Sequence, residues 1–212
     1  MILNTDASLL QLVSYPRTGS HWFRVVMEQY LGRPCLPDSF FNNSLENPWA
    51  YHLHDRIVGK GDEGLTSGFD KIIYLYRNPV DTIFSMCQYE RTDDYHKICL
   101  EYKRHLERWL HGADDCGDVL YVNYDRLRTN TVDVFSNVLS YMTESIDESK
   151  LLFCIGNTTK SLVKSLTKHD DQIVNGKIFD GSYTVIKEKF ISSYGKEIEK
   201  MFDGVYDEFK SI

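Results

Sequence analysis

The sequence predicts an α/β protein, with a central and mainly parallel sheet of about four or five strands flanked by helices in three layers. Two observations carry that prediction. Lys71-Ile72-Ile73-Tyr74-Leu75-Tyr76 and Leu9 to Tyr15 are short, nearly unbroken apolar runs, as expected of strands buried on both faces. Each runs into a polar loop that opens a segment with helical spacing, and strands alternating with helices is how parallel strands are joined.

The elements follow in order. After Leu9 to Tyr15, residues Trp22 to Leu31 place apolar side chains on one helical face, and Gly32 with Pro34 stops the helix. From Cys35 to Gly68 the pattern breaks up around Pro37, Pro48 and four glycines, which predicts long surface loops about a short strand or turn near Tyr51 to His54. Long irregular stretches in compact domains are often functional. Lys71 to Tyr76 is the strongest strand, and Pro79 and Asp81 suit the first turn of the helix after it. Tyr95 to His111 reads as a helix and Val119 to Val122 as a strand. Helices are expected at Asp133 to Met142, Ser149 to Cys154, Thr184 to Ser193 and Lys196 to Phe209.

With 212 residues, 42% of them apolar, the chain suits one packed core, so a single domain over 1–212 is expected. A net charge of -7 disfavours a general nucleic-acid binder, although a local cluster can still bind an anion. The five cysteines are scattered without paired spacing, which disfavours a disulfide framework or a zinc site. Met1 leads directly into a strand-like segment without a basic and apolar leader, and no window approaches the roughly 18 apolar residues of a membrane span. A soluble, cytoplasmic protein is the expectation; the oligomeric state is left open.

The chemistry lies in two loops. In the first, Arg17 supplies fixed charge, Thr18, Ser20 and His21 supply donors, and Gly19 allows close backbone approach, which together make a phosphate cradle. The alternative is a plain strand-to-helix turn capped by Thr18 or Ser20, with Arg17 solvated. No G-x-x-x-x-G-K-[ST] occurs, so a P-loop ATPase or kinase of the usual kind is disfavoured. In the second loop, Arg77 ends a strand and Ser85 lies one or two turns into the next helix. They either meet a common anion over the sheet edge, or Arg77 pairs with Asp81 and Ser85 is an ordinary helix-face serine.

Tyr15 to Trp22 resembles Y-P-[KR]-[ST]-G-[TSN]-[TH]-W, and Arg77 to Ser85 resembles R-N-P-x-D-x-x-x-S. These two motifs mark sulfotransferases that use 3′-phosphoadenosine 5′-phosphosulfate (PAPS) and release 3′-phosphoadenosine 5′-phosphate (PAP). Val122 to Leu127 is similar to a third family element. The resemblance implies a fold like that of nucleotide kinases without their Walker lysine, and no metal. It implies that Arg17, Thr18, Gly19, Ser20 and His21 hold the 5′-phosphosulfate end, Trp22 and Tyr124 the adenine or ribose, and Arg77 and Ser85 the 3′-phosphate. Arg17, where the family commonly has Lys, would act as an electrostatic clamp that donates no proton.

The family places its general base between the two loops, where Tyr51-His52-Leu53-His54-Asp55 stands. His54 is the implied base, with Asp55 orienting it and His52 in the place of an auxiliary lysine; surface histidines or a metal pair are the alternatives. The family's C-terminal R-K-G-x-x-G-D-W element has no clean counterpart. Lys160, Lys164, Lys168 and Lys177 are candidate replacements for its charge, and Asn175 to Lys177 or Asp180 to Tyr183 is a candidate diverged version. The acceptor would carry a hydroxyl, on a small molecule or a glycan. Phe40, Phe41, Trp49 and Tyr51 either wall its site or pin a loop to the core, and the interval Tyr89 to Tyr102 is a further candidate for the mouth. Rival readings are a nucleotide-binding protein without turnover and a divergent phosphotransferase.

Overall fold

A computed structural model of the chain describes residues 10–41, 46–54, 69–111, 118–167 and 182–210, the side chains of 54, 110, 111, 167 and 208–210 excepted. Five strands form one sheet: β1 (Leu10–Ser14), β2 (Cys35–Leu36), β3 (Ala50–His54), β4 (Lys71–Tyr76) and β5 (Asp118–Asn123). Their spatial order is β2-β3-β1-β4-β5 and every pairing is parallel. All five C-terminal ends therefore share one edge. The chain moves outward from β1 to β2 and β3 on one side, then crosses to β4 and β5 on the other. The edge beside β1 is thus a topological switch point, where open α/β sheets hold ligands.

Pleat alternation divides the core between two faces. Ile72, Tyr74 and Tyr76 face a cluster built with α2 (Pro79–Glu90), α3 (Tyr95–His111), α8 (Tyr183–Met201) and α9 (Val205–Lys210). Ile73 and Leu75 face α1 (Ser20–Leu31), α4 (Tyr124–Thr129), α5 (Thr131–Tyr141) and α6 (Glu148–Asn157). Aromatic stacking fills the first face, with Tyr74 4.7 Å from Trp109 and bonded through its hydroxyl to His105 Nδ1 at 2.8 Å.

The predicted strand at Lys71 to Tyr76 and helix at Tyr95 to His111 stand as read. Of the strand or turn expected near Tyr51 to His54, the strand is what forms: it is interior, with β2 beyond it. Two segments differ. The two helices expected at 184–193 and 196–209 are one continuous α8, broken only afterwards, where Gly204 takes φ 84°. Gly195, which the sequence makes look like a break, sits inside α8, where a Cβ would meet Val80 on α2 at an ordinary contact distance of 3.9 Å. A further helix, α7 (Lys160–Thr167), was not expected. Trp49 is 3% exposed and belongs to the core, not to a binding wall.

Candidate active site

The first loop leaves β1 at Ser14 and enters α1 at Ser20. Arg17 and Gly19 both take left-handed backbone angles, φ 71° and 100°. For arginine that conformation costs of order 1 kcal/mol and survives only where its surroundings hold it. The Thr18 hydroxyl donates to Tyr15 O at 2.8 Å, so that loop residue offers a ligand its backbone N–H rather than its side chain. Among the described residues no side chain caps α1, and no acidic residue occupies its first turn, whereas α2, α4 and α6 are capped by Asn78, Asn123 and Asp147. The start of α1 is left open to an anion. Ser20 is buried there, beside the half-buried His21 and Trp22.

Gly19 faces the Tyr124 ring. A Cβ on Gly19 would stand 2.2 Å from Tyr124 Cε2, so only glycine lets that ring close over the loop. Trp22 meets the same ring edge-on at 6.0 Å, and the Arg77 guanidinium lies 4.9 Å from its centroid. Asn123 fixes Tyr124 by capping α4, accepting from the N–H groups of Asp125 and Arg126.

The second loop reaches the first directly. Arg17 Nε donates to Ser85 Oγ at 3.1 Å, and Arg77 Nη1 donates to Arg17 O at 3.3 Å. The Arg77 backbone is held on both sides by Tyr102, whose hydroxyl accepts from Arg77 N and donates to Arg77 O. Asn78 N donates to Asp125 Oδ2, joining this loop to α4. Arg77 Nη2 also pairs with Asp81 at 3.1 Å, so the ion pair weighed from the sequence exists alongside the contact to the first loop. Burial lowers the pKa of the Arg17 guanidinium; Tyr183 and Tyr89 act against that and Arg77 adds to it. The Tyr89 ring lies 5.3 Å from Arg17 Cζ.

His54 ends β3 as the register partner of Ser14, next to the strand that leads into the first loop. Its side chain, and Asp55, lie outside the described residues. His52 has a defined role. Arg24 Nη1 is 3.1 Å from His52 Nδ1, and a guanidinium can only donate, so Nδ1 accepts and the ring proton resides on Nε2. That Nε2–H then donates to Ser14 Oγ at 3.1 Å. The lone pair a base would use is committed to Arg24.

Arg24 is 3% exposed and also bonds Asp38 O. Glu28 beside it accepts from Ser39 Oγ and Phe40 N; its carboxyl is raised by burial, with those bonds opposing. Phe40 is thereby set over Arg24 at 4.7 Å and edge-on to His21 at 5.9 Å. Phe41 and Tyr51 are exposed. Of the lysines weighed for the missing C-terminal charge, Lys160 lies 5.6 Å from the Tyr183 ring, Lys164 is on α7, and Lys168 and Lys177 lie outside the described residues. Asn175 and Gly176, and Asp180 and Gly181, of the candidate diverged elements lie outside them too.

Sequence reasoning missed three contributors: Arg24, Tyr89 as the surface under Arg17, and Lys187 of α8, which meets Asp81 at 2.7 Å. Arg24 had a legible signal, a cation on the apolar face of a helix; the others depend on contacts between distant segments.

Fold and site together define an α/β protein whose sheet edge converges two arginines, an open helix N-terminus and a bare glycine on one anion-sized place. The family model for the sulfotransferase domain matches residues 52–192, and the chain belongs to the sulfotransferase domain family. The match begins at His52, so the first loop lies outside it. No curated protein sequence matches the chain. Among solved structures, mouse sulfotransferase SULT7A1 complexed with PAP is similar at 18% identity and a TM-score of 0.59, over 95% of this chain and 83% of that one. Retinol dehydratase in complex with androsterone and the inactive cofactor PAP is similar at 11% identity and 0.62, over 94% and 82%. The same protein with retinol and PAP gives 12% and 0.62, over 92% and 80%. At these identities the likeness establishes the shared fold. Among the described residues no helix is long and apolar enough to cross a membrane.

Proposed function

We propose that this protein transfers a sulfuryl group from PAPS to a hydroxyl of an alcohol, phenol or carbohydrate acceptor. The observation that carries the reading is the meeting of the two loops: Arg17 on Ser85, Arg77 on the Arg17 carbonyl, and Tyr124 closed over Gly19. The residues present fit the donor. Gly19 admits the Tyr124 ring over the loop where a Cβ would collide with it, and among the described residues α1 begins without a side-chain cap and Arg77 Nε is buried with no hydrogen-bond partner. When bound, the donor supplies an activated sulfuryl group whose leaving group is a phosphate.

Each residue then has a task. Thr18, Gly19, Ser20 and His21 offer the loop and the first turn of α1 to the 5′ end. Arg17, always charged, stabilises negative charge on the leaving phosphate without giving up a proton. Arg77 and Ser85 hold the 3′-phosphate, and Trp22 and Tyr124 take the adenosine. His54 accepts the acceptor's proton as its oxygen attacks. His52 orients rather than reacts, since its tautomer is fixed between Arg24 and Ser14.

The test is sulfate transfer from labelled PAPS to a panel of phenols, alcohols and glycans, with wild type and His54→Ala side by side. The expected result is transfer by wild type and a loss of at least about a hundredfold in kcat in the variant, with PAP affinity unchanged. Unchanged transfer by His54→Ala overturns the assignment of the base. Absence of transfer with tight PAP binding favours a nucleotide-binding protein without turnover.

A further inference from the structure

Arg77 carries a difficulty for the anion site proposed above. Its guanidinium is paired at 3.1 Å with Asp81 in the first turn of α2, and the two side chains are only 15% and 17% exposed. A partly buried arginine neutralised by its own carboxylate offers little net field to a phosphate dianion. Either the second loop does not hold a phosphate, or another cation offsets Asp81.

Lys187 is that cation. Its Nζ stands 2.7 Å from Asp81 Oδ1 while Arg77 holds Oδ2, so the carboxylate is shared between an ammonium and a guanidinium. Lys187 is one turn into α8 from Tyr183, whose ring lies 5.4 Å from that of Phe84, the residue before Ser85. Arg77 Nε, buried and without a hydrogen-bond partner among the described residues, is a donor left for a ligand once Asp81 is satisfied by lysine.

We propose that Lys187 is a positioning residue for the cofactor's 3′-phosphate: by holding and neutralising Asp81 it leaves the Arg77 guanidinium electrostatically available to that phosphate. The chain thereby supplies positive charge to the second loop from the first turns of α8. The inference rests on the proposed PAPS reading, since it concerns the half of the site that reads the 3′-phosphate. It predicts that Lys187 matters for nucleotides bearing that group and not for those lacking it.

Calorimetric titration with PAP and with adenosine 5′-phosphate, which differ in the 3′-phosphate, tests this on wild type, Lys187→Gln, Lys187→Arg, Asp81→Asn and the Asp81→Asn/Lys187→Gln double variant. Expected are a strong wild-type preference for PAP, about a tenfold loss of PAP affinity in Lys187→Gln with adenosine 5′-phosphate unaffected, and recovery in Lys187→Arg. In the Asp81→Asn background the Lys187→Gln change should cost less than about twofold, because no carboxylate remains to neutralise. Equal loss for both nucleotides, or no loss for either, overturns the role of Lys187 while the wild-type preference for PAP keeps the cofactor reading standing. A wild type that does not distinguish the two nucleotides overturns the 3′-phosphate reading, and the role of Lys187 with it.

Discussion

Gly19→Ala is the substitution whose consequences the geometry fixes most closely. Gly19 sits at φ 100°, where an L-residue costs roughly 1–2 kcal/mol. The new Cβ would also stand 2.2 Å from Tyr124 Cε2 and 2.3 Å from Cδ2, against ordinary carbon contacts of about 3.5–4.0 Å. The ring must therefore retreat by about 1.5 Å, away from its place against Trp22 and the Arg77 guanidinium. Losing the cation–π contact adds about 0.5–1 kcal/mol. The total is about 1.5–3 kcal/mol, which for a chain of this size lowers Tm by about 3–12 °C. Thermal and urea denaturation of Gly19→Ala, Tyr124→Ala and the double variant separates the parts. In the Tyr124→Ala background the collision is gone, so Gly19→Ala should cost only the backbone portion, with a coupling of at least about 0.5 kcal/mol between the sites. An equal cost in both backgrounds, or a cost under about 0.5 kcal/mol in the wild-type background, refutes the close approach of ring and loop.

Arg24→Met removes the donor that fixes His52 and leaves Glu28 buried without its cation, so urea unfolding should show a loss of about 2 kcal/mol or more; a change within 0.5 kcal/mol would contradict the network. Gly195→Ala tests the close packing of α8: the added Cβ meets Ile191 Cγ2 at 3.3 Å, but Ile191 is 41% exposed and free to shift. Helix propensity should then win, with a gain of up to about 1 kcal/mol, whereas Gly195→Leu should destabilise by crowding Val80. For Asp81, burial works to raise the carboxyl, and the Lys187 and Arg77 interactions outweigh it, leaving the pKa below the ordinary range. A depressed folded pKa means the contribution is full above the unfolded value, about 3.9, and disappears as pH falls through the folded value. Wild type should thus begin to lose its roughly 1 kcal/mol advantage over Lys187→Met below about pH 4, as read by denaturation in steps from pH 7 downward. An advantage that does not shrink as the pH falls below about 4 would contradict the pair.

Much of this was legible where one segment carries its own reasons. Ile72 to Tyr76 is apolar throughout because both faces of β4 are covered, and Asn78-Pro79 announces α2 because the asparagine caps and the proline fits the first turn. The two loops were legible for the same reason: glycine, arginine and hydroxyl residues at a strand end are a local pattern. What failed was set by partners far along the chain. His52 reads as a stand-in for an auxiliary lysine, or as a surface histidine, until Arg24 and Ser14 engage it inside a parallel sheet. Gly195 reads as a helix stop until α2 packs against it. Lys187 reads as one of many solvated lysines until the fold sets it on Asp81. The family motif names Arg77 for the phosphate, yet no motif shows that its neighbouring aspartate must be neutralised.

The central claim is that the cradle takes a PAPS-type nucleotide. Calorimetric titration of the purified protein with PAP, beside ATP with Mg²⁺, tests it most directly. Micromolar or tighter binding of PAP, with ATP at least about a hundredfold weaker, is the predicted result. Tight binding of ATP with Mg²⁺ and little of PAP would contradict the account and turn the same two loops into the anion site of a phosphotransferase.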